Sequence, residues 1–122
     1  LLVIMPRFEP EEFLVLIERH RIDTSFVVPT MFVRLLRLPE AVRRRHDLSS
    51  LRHVTHAAAP CPPEVKRAMI DWWGPVIHEF YGATDLGGPT VCSSHDWLRK
   101  PGTVGRVVPG ATLRILDDEG RE

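Results

Sequence analysis

Short runs of apolar residues alternate with amphipathic segments along the first hundred residues of the chain. Four such runs predict buried strands, at residues 1–5, 25–28, 53–59 and 76–81. The segments between them carry apolar residues at helical spacing, and prolines stand near their starts. Strands that alternate with helices predict a parallel sheet with crossover helices. We therefore expect an α/β fold, part of a mostly parallel sheet flanked by helices.

Within the helical segments, the spacing of apolar residues predicts which side chains are buried. The segment that opens at Pro62 has apolar residues at positions i, i+3, i+4 and i+7, namely Val65, Ala68, Met69 and Trp72. We therefore expect Trp72 in the core and Trp73 at its edge. After Pro29, Thr30 is expected to cap the next helix.

The pattern changes after Gly88. Residues 89–102 look irregular, and residues 111–116 alternate polar and apolar side chains before an acidic glycine turn. Such alternation predicts an antiparallel strand. We therefore expect two parts: an α/β portion over residues 1–100 and the start of a small β subdomain over residues 101–122.

Both ends of the chain look like cuts through a larger fold. The chain opens directly on the apolar run 1–5, and residues 117–122 read as a hairpin turn whose second strand is missing. Domains normally end in exposed linkers that make few contacts. Because such cuts expose apolar faces and unpaired strand edges, we expect the chain to self-associate.

The charge balance gives no electrostatic reason to expect a nucleic-acid partner. Sixteen Lys and Arg residues offset sixteen Asp and Glu residues. The one basic cluster, at residues 43–45, is expected to be a solvated helix end.

The cysteine content and the hydropathy pattern favour a cytoplasmic protein. Cys61 and Cys92 are the only cysteines, too few for the disulfide framework of a small secreted domain. No run approaches the roughly 18 apolar residues that a membrane span requires, and no signal peptide is visible. We expect reduced thiols and no membrane span.

Candidate chemistry lies where the third and fourth predicted strands end. In an open parallel sheet, ligands bind outside the carboxyl ends of the strands. The third strand ends in three alanines at residues 57–59, and the fourth runs into Tyr-Gly-Ala-Thr-Asp at residues 81–85. A Tyr ring offers a flat face to a base, a Thr hydroxyl can donate to a phosphate, and a carboxylate can bind Mg²⁺. For this motif alone, an ordinary turn after a strand is the alternative.

Two other classes of site are disfavoured by spacing. A zinc site could be imagined from His53, His56, Cys61, Cys92 and His95, but their spacing matches no common structural zinc pattern. On a strand, His53 and His56 would also point to opposite faces. A Rossmann domain requires Gly-x-Gly-x-x-Gly after its first strand, where this chain reads Pro-Arg-Phe-Glu-Pro.

Several short segments follow one another in a recognisable order. They are Met-Pro-Arg-Phe at residues 5–8, Val-Pro-Thr-Met at 28–31, Ala-Ala-Ala-Pro at 57–60, Tyr-Gly-Ala-Thr-Asp at 81–85 and Gly-Thr-Val-Gly-Arg-Val-Val-Pro-Gly at 102–110. In this order they resemble the AMP-forming acyl-CoA synthetases of the adenylate-forming enzyme superfamily. The resemblance spans nearly the whole chain and implies an internal fragment of the N-terminal domain of such an enzyme.

The resemblance implies a nucleotide site at the two strand ends. Tyr81 would pack against adenine, and the Glu79 side chain and Phe80 carbonyl would contact the adenine amino group, although an acid at residue 79 is less usual there than an amide. Ala58 and Ala59 would line the other side of the base. The full set of implied nucleotide-binding residues is Ala58, Ala59, Glu79, Phe80, Tyr81, Gly82 and Thr84.

The resemblance also implies catalytic and acyl-binding residues. Thr84 would contact the α-phosphate of ATP, and Asp85 would bind Mg²⁺ where the family usually has Glu. Because Asp is one methylene shorter, the metal would be bound through water or displaced. The acyl pocket would be lined by Thr30, Gly82, Gly88 and Pro89.

The implied activity is that of a ligase that uses ATP, Mg²⁺ and coenzyme A. A carboxylic acid, expected to be a fatty acid, attacks the α-phosphate to give an acyl-adenylate, and the thiol of coenzyme A then displaces AMP. The family's phosphate loop, ribose-binding Asp and catalytic Lys are expected outside this chain, so the chain alone is expected to be inactive. The alternative is a non-catalytic nucleotide-binding or protein-interaction module of the same fold.

Overall fold

The structure is a computed structural model that describes residues 1–83, 85 and 87–122. Within these residues, five helices and five strands follow one another along the chain. The helices are α1 (Pro10–His20), α2 (Pro29–Leu36), α3 (Glu40–Arg43), α4 (Pro63–Trp73) and α5 (Ser94–Arg99). The strands are β1 (Thr24–Val27), β2 (His53–His56), β3 (Ile77–Ala83), β4 (Gly87–Ser93) and β5 (Arg106–Val107).

The five strands form one sheet in the order β1-β2-β3-β4-β5. The first three strands are parallel, and α2, α3 and α4 lie in the connections between them, whereas β4 and β5 are antiparallel to their neighbours. Hydrogen bonding places Val27, His56, Glu79 and Cys92 side by side in one row across the sheet. The predicted α/β fold with a mostly parallel first part is confirmed.

The helices pack on one face of the sheet and form the core with it. Alternate residues of the parallel strands, among them Val54 and Ile77, point into this core and are fully buried. The opposite face is open, and Phe26 and Val91 are 60% and 51% exposed there. No helix among the described residues combines the length and apolar character needed to cross a lipid bilayer.

The buried face of α4 is rotated by one residue from the predicted one. The helix buries Lys66, Met69, Ile70 and Trp73. The Trp73 ring packs against those of Phe13 and Phe32, with centroids 6.4 and 5.9 Å away. The Trp72 ring is only half-buried, with the Arg43 guanidinium 5.3 Å from its centroid. The prediction that Trp72 is the core residue is therefore wrong. It assumed that only apolar residues are buried, whereas Lys66 belongs to the buried face of α4.

The helix α2 begins one residue before the predicted cap. Val28, with an extended backbone, precedes it, and Pro29 occupies its first turn. The fixed φ of proline suits the first helical position, and its missing N–H leaves one fewer donor to cap. The prediction that Thr30 caps α2 is wrong, since Thr30 is already helical.

Two predicted strands are absent from the described residues. Residues 1–5 and 111–116 are not assigned to any strand. Leu1, Leu2 and Ile4 are 98%, 81% and 78% exposed. A strand is defined by its hydrogen-bonded neighbour, and among the described residues neither segment pairs with one. The apolar patterns of these two segments are therefore not sufficient to predict a strand.

Residues 89–102, predicted to be irregular, contain most of β4 and all of α5. The helix is capped by Ser93, whose Oγ accepts the Asp96 backbone N–H at 3.1 Å and donates to Asp96 Oδ2 at 2.7 Å. Ser94 Oγ joins α5 to β3 by donating to the Ile77 carbonyl at 2.6 Å. Side-chain capping gives this short helix a start that apolar periodicity alone does not reveal.

The two adjacent tryptophans provide a test of the packing on α4. We expect Trp73→Ala to lower the free energy of unfolding by about 3–5 kcal/mol, because it empties a site between two aromatic rings. Trp72→Ala should cost less than half as much, since that ring is half exposed. Urea unfolding followed by far-UV circular dichroism measures both, and equal losses would contradict the assignment of Trp73 to the core.

Candidate active site

The three parallel strands end at the same edge of the sheet. Val27, His56 and Glu79 lie in register near this edge. The chain continues from there into α2 after β1, into residues 57–60 after β2, and along the last residues of β3. Strand pairing therefore brings the two predicted nucleotide-binding segments, residues 57–59 and 79–83, onto neighbouring strands at one edge.

Tyr81 lies on the helix-covered side of the sheet but beyond the helices. It is two residues after Glu79, so both side chains point to the same face. The residue is 57% exposed at this end of the sheet, which leaves its aromatic side chain accessible to solvent. Phe80 points to the opposite face, where its ring lies 6.1 Å from that of Phe26. On the face that carries Tyr81, Phe80 therefore presents only its backbone.

Gly82 is required by the backbone of the neighbouring strand. A Cβ atom at this position would lie 1.8 Å from the carbonyl oxygen of Gly87. The strand register also shifts between Tyr81 and Ala83, which is the mark of a bulge. The glycine therefore has a structural role in the β3–β4 connection, independent of any ligand.

Ala58 and Ala59 are exposed just after β2. Ala58 has a φ of +74°, a left-handed conformation that costs a residue with a Cβ atom about 1–2 kcal/mol. A glycine would adopt this backbone conformation without that cost. The small side chains leave the backbone of the segment open to solvent beside β3.

Asp85 is exposed, and its predicted partner Thr84 lies outside the described residues. Among the residues that the structure describes, no group of three or more His, Cys, Asp or Glu side chains could hold a metal ion. A single carboxylate nevertheless fits the way Mg²⁺ binds in phosphate-transfer sites, where waters and substrate phosphates supply the other ligands. Asp85 fits such a site only together with a phosphate substrate.

The predicted acyl-binding residues come from two parts of the fold. Thr30 is exposed on the first turn of α2, beyond the end of β1. Gly88 and Pro89 are half-buried on β4, next to the end of β3. A Cβ atom at Gly88 would lie 2.9 Å from the Phe80 ring, so the backbone packs closely on that ring.

A buried ion pair lies directly behind this edge. The Lys66 side chain is completely buried in the middle of α4 and donates from Nζ to Glu79 Oε2. The Glu79 side chain is 11% exposed, and its Oε2 lies 3.5 Å from Nε2 of the fully buried His56. The Lys66 ammonium also lies 5.5 Å from the centroid of the Trp97 ring. The Glu79 side chain is therefore largely buried, and its carboxylate pairs with a cation of the core.

The sequence motifs predict a role for Glu79 but none for Lys66. Two signals were present in the sequence. Lys66 stands at the i, i+3, i+4, i+7 positions together with Met69, Ile70 and Trp73, and an acid within a buried strand requires a cationic partner. Neither signal alone identifies which cation pairs with which acid.

Burial and charge both disfavour protonation of His56. Burial, and then the positive charge of Lys66, lower the pKa of His56 to about 4. Neither of its ring nitrogens has a hydrogen-bond partner among the described residues. Its ring packs edge-on against Phe32 at 5.5 Å. His56 is therefore a neutral member of the cluster at neutral pH.

The other His and Cys side chains that the structure describes form no group of three or more that could hold a metal ion. His53 and His56 point to opposite faces of β2, as strand geometry predicts, and the exposed His53 stacks on His78 with ring centroids 3.8 Å apart. Cys61 and Cys92 are both free. Burial raises the pKa of Cys61 to about 11 and that of Cys92 above its usual value, so both are protonated thiols at neutral pH.

The structure also has a cavity of about 590 Å³ beside β1, the outermost strand of the sheet. It lies between the first residues of the chain, α1 and β1, and its walls include Phe8, Phe13 and Phe26. None of the predicted nucleotide-binding or acyl-binding residues that the structure describes lines this cavity. The candidate site is instead formed by residues 57–59, 79–83 and 85, at the carboxyl ends of β2 and β3.

The chain is similar to known proteins over nearly its whole length. Residues 1–122 match the family described as AMP-binding enzyme. The acetyl-coenzyme A synthetase of Bacillus subtilis is 32% identical over 116 residues, which cover 95% of this chain and 20% of that protein. Probable 4-coumarate–CoA ligase 1 of Dictyostelium discoideum is 34% identical over 122 residues, which cover 98% and 22% respectively.

Solved structures give the same result. The amide bond synthetase McbA from Marinactinospora thermotolerans superposes with a TM-score of 0.86 at 31% identity, covering 95% of this chain and 24% of that one. The chain spans about a fifth of the length of the curated relatives named above.

The left-handed conformation of Ala58 gives a stability prediction. We expect Ala58→Gly to raise the free energy of unfolding by about 1 kcal/mol, because the strain exceeds the added entropy of the unfolded glycine. Ala59→Gly, a matched control without a positive φ, should instead lower it by about 0.5–1 kcal/mol. Thermal unfolding measures both, and a loss for Ala58→Gly would contradict the strain.

The depressed pKa of His56 gives a prediction for the pH dependence of stability. Between its unfolded value of 6.5 and its folded value of about 4, the unfolded state binds the extra proton. Stability is therefore present above pH 6.5 and lost as the pH falls towards 4.

Between pH 7 and pH 4.5 we expect the native chain to lose about 2 kcal/mol more stability than His56→Gln. Carboxylates with lowered pKa values, such as Asp96, contribute equally to both proteins and cancel. Urea unfolding at several pH values measures the difference, and parallel curves would contradict the assignment.

Proposed function

Because the chain belongs to the AMP-binding enzyme family, we propose that the full-length protein is an ATP-dependent acid–thiol ligase. It activates a carboxylic acid as an acyl-adenylate and transfers the acyl group to coenzyme A. The observation that carries the proposal is the juxtaposition of the ends of β2 and β3, where the exposed Tyr81 ring and the open Ala58–Ala59 backbone share one edge.

The nucleotide would bind along this edge. The Tyr81 ring offers a base-stacking surface, and base–aromatic stacking contributes about 1–3 kcal/mol. Ala58 and Ala59 allow the base to approach their backbone closely. Glu79 and the Phe80 carbonyl supply hydrogen-bond acceptors for an amino group, and Gly82 keeps the adjoining backbone free of a side chain.

Residues 84 and 85 would serve the phosphates. Thr84 would donate a hydrogen bond to the α-phosphate, and Asp85 would hold Mg²⁺. Magnesium would supply positive charge where negative charge develops during displacement of pyrophosphate. The substrate carboxylate is itself the nucleophile, so these residues bind and orient, and none of them acts as a base.

The acid is proposed to be a fatty acid or another acid with an apolar tail. The proposed pocket combines the glycine and proline backbone at Gly82, Gly88 and Pro89 with the exposed first turn of α2 at Thr30. None of these four residues has a charged side chain, which suits the apolar tail of an acid substrate. The named relatives are an acetyl-coenzyme A synthetase and a probable 4-coumarate–CoA ligase, so the family accommodates acids of different size.

A second candidate concerns the acceptor of the acyl group. McbA is an amide bond synthetase with 31% identity and a TM-score of 0.86. Transfer to an amine would use the same adenylation half-reaction and the same edge of the sheet. Mass analysis of the product formed with coenzyme A or with an amine separates the two candidates.

Three further proposals concern the chain by itself. We propose that the 122 residues alone are inactive, because preorganised positive charge on the phosphates is a large catalytic contribution that Thr84 and Asp85 do not supply. The open sheet face with Phe26 and Val91 favours self-association. The free, protonated thiols suit the reducing cytoplasm.

Adenylation is tested on the full-length protein with ATP, Mg²⁺ and a panel of fatty and aromatic acids. We expect release of pyrophosphate with at least one acid. We also expect Tyr81→Ala to weaken AMP binding about tenfold to hundredfold, because it removes the stacking ring. Calorimetry with AMP measures the second effect.

The matched control is Tyr81→Phe, which keeps the ring and should bind AMP like the native protein. AMP binding without pyrophosphate release from any acid would favour the non-catalytic nucleotide-binding module. Absence of both would leave the protein-interaction module and overturn the ligase proposal.

A further inference from the structure

A second cavity lies away from the candidate active site. It has a volume of about 550 Å³ and lies between α3, the turn at residues 46–49 and the last residues of α4. The segments that line it come shortly before β2 and β3 in the chain. The cavity therefore lies towards the amino ends of these strands, whereas the candidate active site is at their carboxyl ends.

Positive charge predominates on the walls of this cavity. Arg43 and Arg44 line it, and no Asp or Glu does so among the described residues. Arg44 is balanced by Glu40, with Nη2 and Oε1 2.5 Å apart. Arg43 forms no ion pair within the part of the chain that the structure describes. Its guanidinium lies instead 5.3 Å from the centroid of the Trp72 ring, which also lines the cavity. Arg43 therefore brings an uncompensated positive charge to the wall.

Three buried nitrogen atoms of the lining residues have no hydrogen-bond partner among the described residues. They are Nε of Arg43, Nε2 of His46 and Nε1 of Trp73. A buried polar atom without a partner has lost its hydrogen bond to water without replacement, so each such atom requires an explanation. Nε of arginine and Nε1 of tryptophan can only donate. A group that satisfies them must offer acceptors.

His46 can extend this set of donors. Its side chain is only 7% exposed, and its Nδ1 lies 3.0 Å from Oε2 of Glu18. The hydrogen bond with His46 lowers the pKa of Glu18, so this carboxylate is ionised and accepts the proton of Nδ1. Nε2 then accepts in the neutral ring or donates in the protonated ring. The adjacent acid, Asp47, pairs with Arg21 at 2.7 Å and leaves the charge of Arg43 uncompensated.

Water alone does not account for this arrangement. One water molecule takes up about 30 Å³, so the cavity would hold several, and water supplies no negative charge to Arg43. A phosphate group carries that charge and has several acceptor oxygens. It also matches the planar fork of an arginine, which can donate two parallel hydrogen bonds to it. The Trp72 ring offers a flat apolar surface to the remainder of a phosphate ester.

We propose that this cavity is a binding site for a phosphate group, carried by inorganic phosphate or by a small phosphate ester, with Arg43 as its main anchor. The inference does not rest on the proposed function, because none of the lining residues belongs to the candidate active site. It gives the fold a second anion site, at the other end of the parallel strands.

The experiment measures the dissociation constants of inorganic phosphate and of phenyl phosphate by calorimetry on the full-length protein, at constant ionic strength. Arg43→Gln removes the charge and the fork but keeps a polar side chain. A hydrogen bond between charged groups is stronger than one between neutral groups, so this variant should bind phosphate about 10- to 100-fold more weakly. Equal affinities of the native protein and folded Arg43→Gln would overturn the proposal.

The matched control is Arg45→Gln. Arg45 lies two residues after Arg43, is exposed, pairs with Glu11 at 3.6 Å and does not line the cavity. It should bind phosphate like the native protein. Equal losses in Arg43→Gln and Arg45→Gln would indicate general attraction to a basic surface and contradict a specific site.

A second control separates this cavity from the candidate active site. Thr84→Ala, at the proposed α-phosphate contact, should leave the phosphate affinity of the cavity unchanged. If Thr84→Ala weakens phosphate binding and Arg43→Gln does not, phosphate binds only at the candidate active site and the proposal fails. Should Arg43→Gln not fold, Arg44→Gln replaces it, since that side chain is 79% exposed, and it should weaken binding about three- to tenfold.

The two ligands distinguish the sources of the phosphate group. Tighter binding of phenyl phosphate, by about threefold or more, supports a phosphate ester whose body packs on Trp72. Equal binding of the two ligands supports the free ion. Absence of binding of both ligands to the native protein would overturn the proposal.

Discussion

The parallel hydrogen bonding of β1, β2 and β3 fixes the arrangement on which the candidate site depends. Parallel pairing makes all three strands end at one edge, and the register aligns Val27, His56 and Glu79 in a single row. Residues that are far apart in sequence thereby become neighbours. The segment after β2 and the last residues of β3 face the same solvent region because the two strands are adjacent, without any direct bond between those segments.

The row of Val27, His56 and Glu79 contains both apolar and ionisable side chains. Its ionisable members lie between the core and the carboxyl ends of the strands. Its apolar end at Val27 is buried, whereas the Glu79 carboxylate requires a partner for its largely buried charge. Lys66 supplies the balancing cation from α4, and His56 remains neutral because burial and the nearby ammonium both lower its pKa. A helix that completes the core thus also supplies the cation that pairs with Glu79.

Backbone geometry shapes the same edge through two small residues. At Gly82 the carbonyl of Gly87 approaches so closely that no side chain can be accommodated. Ala58 instead keeps its Cβ atom in a left-handed conformation that favours glycine. Both residues lie where the chain reaches the carboxyl end of a strand, Ala58 after β2 and Gly82 near the end of β3. They explain why small residues are found here even before any ligand is considered.

The sequence by itself determined the alternating order of strands and helices and the position of the candidate site at two strand ends. These features are local, because helix formation and strand burial depend on apolar residues a few positions apart. The motifs at residues 57–60 and 81–85 likewise pointed to the family. The roles proposed for Tyr81, Glu79 and Asp85 remain predictions that follow from those motifs.

Only the tertiary structure decided which residues pair across the fold. It replaced Trp72 with Trp73 in the core and brought Lys66 to Glu79, because the rotation of α4 against the sheet sets which side chains meet. It also left residues 1–5 and 111–116 without strand structure, since an apolar or alternating pattern becomes a strand only where a neighbour supplies the hydrogen bonds. Local patterns encode the elements, whereas contacts between distant elements depend on how those elements pack.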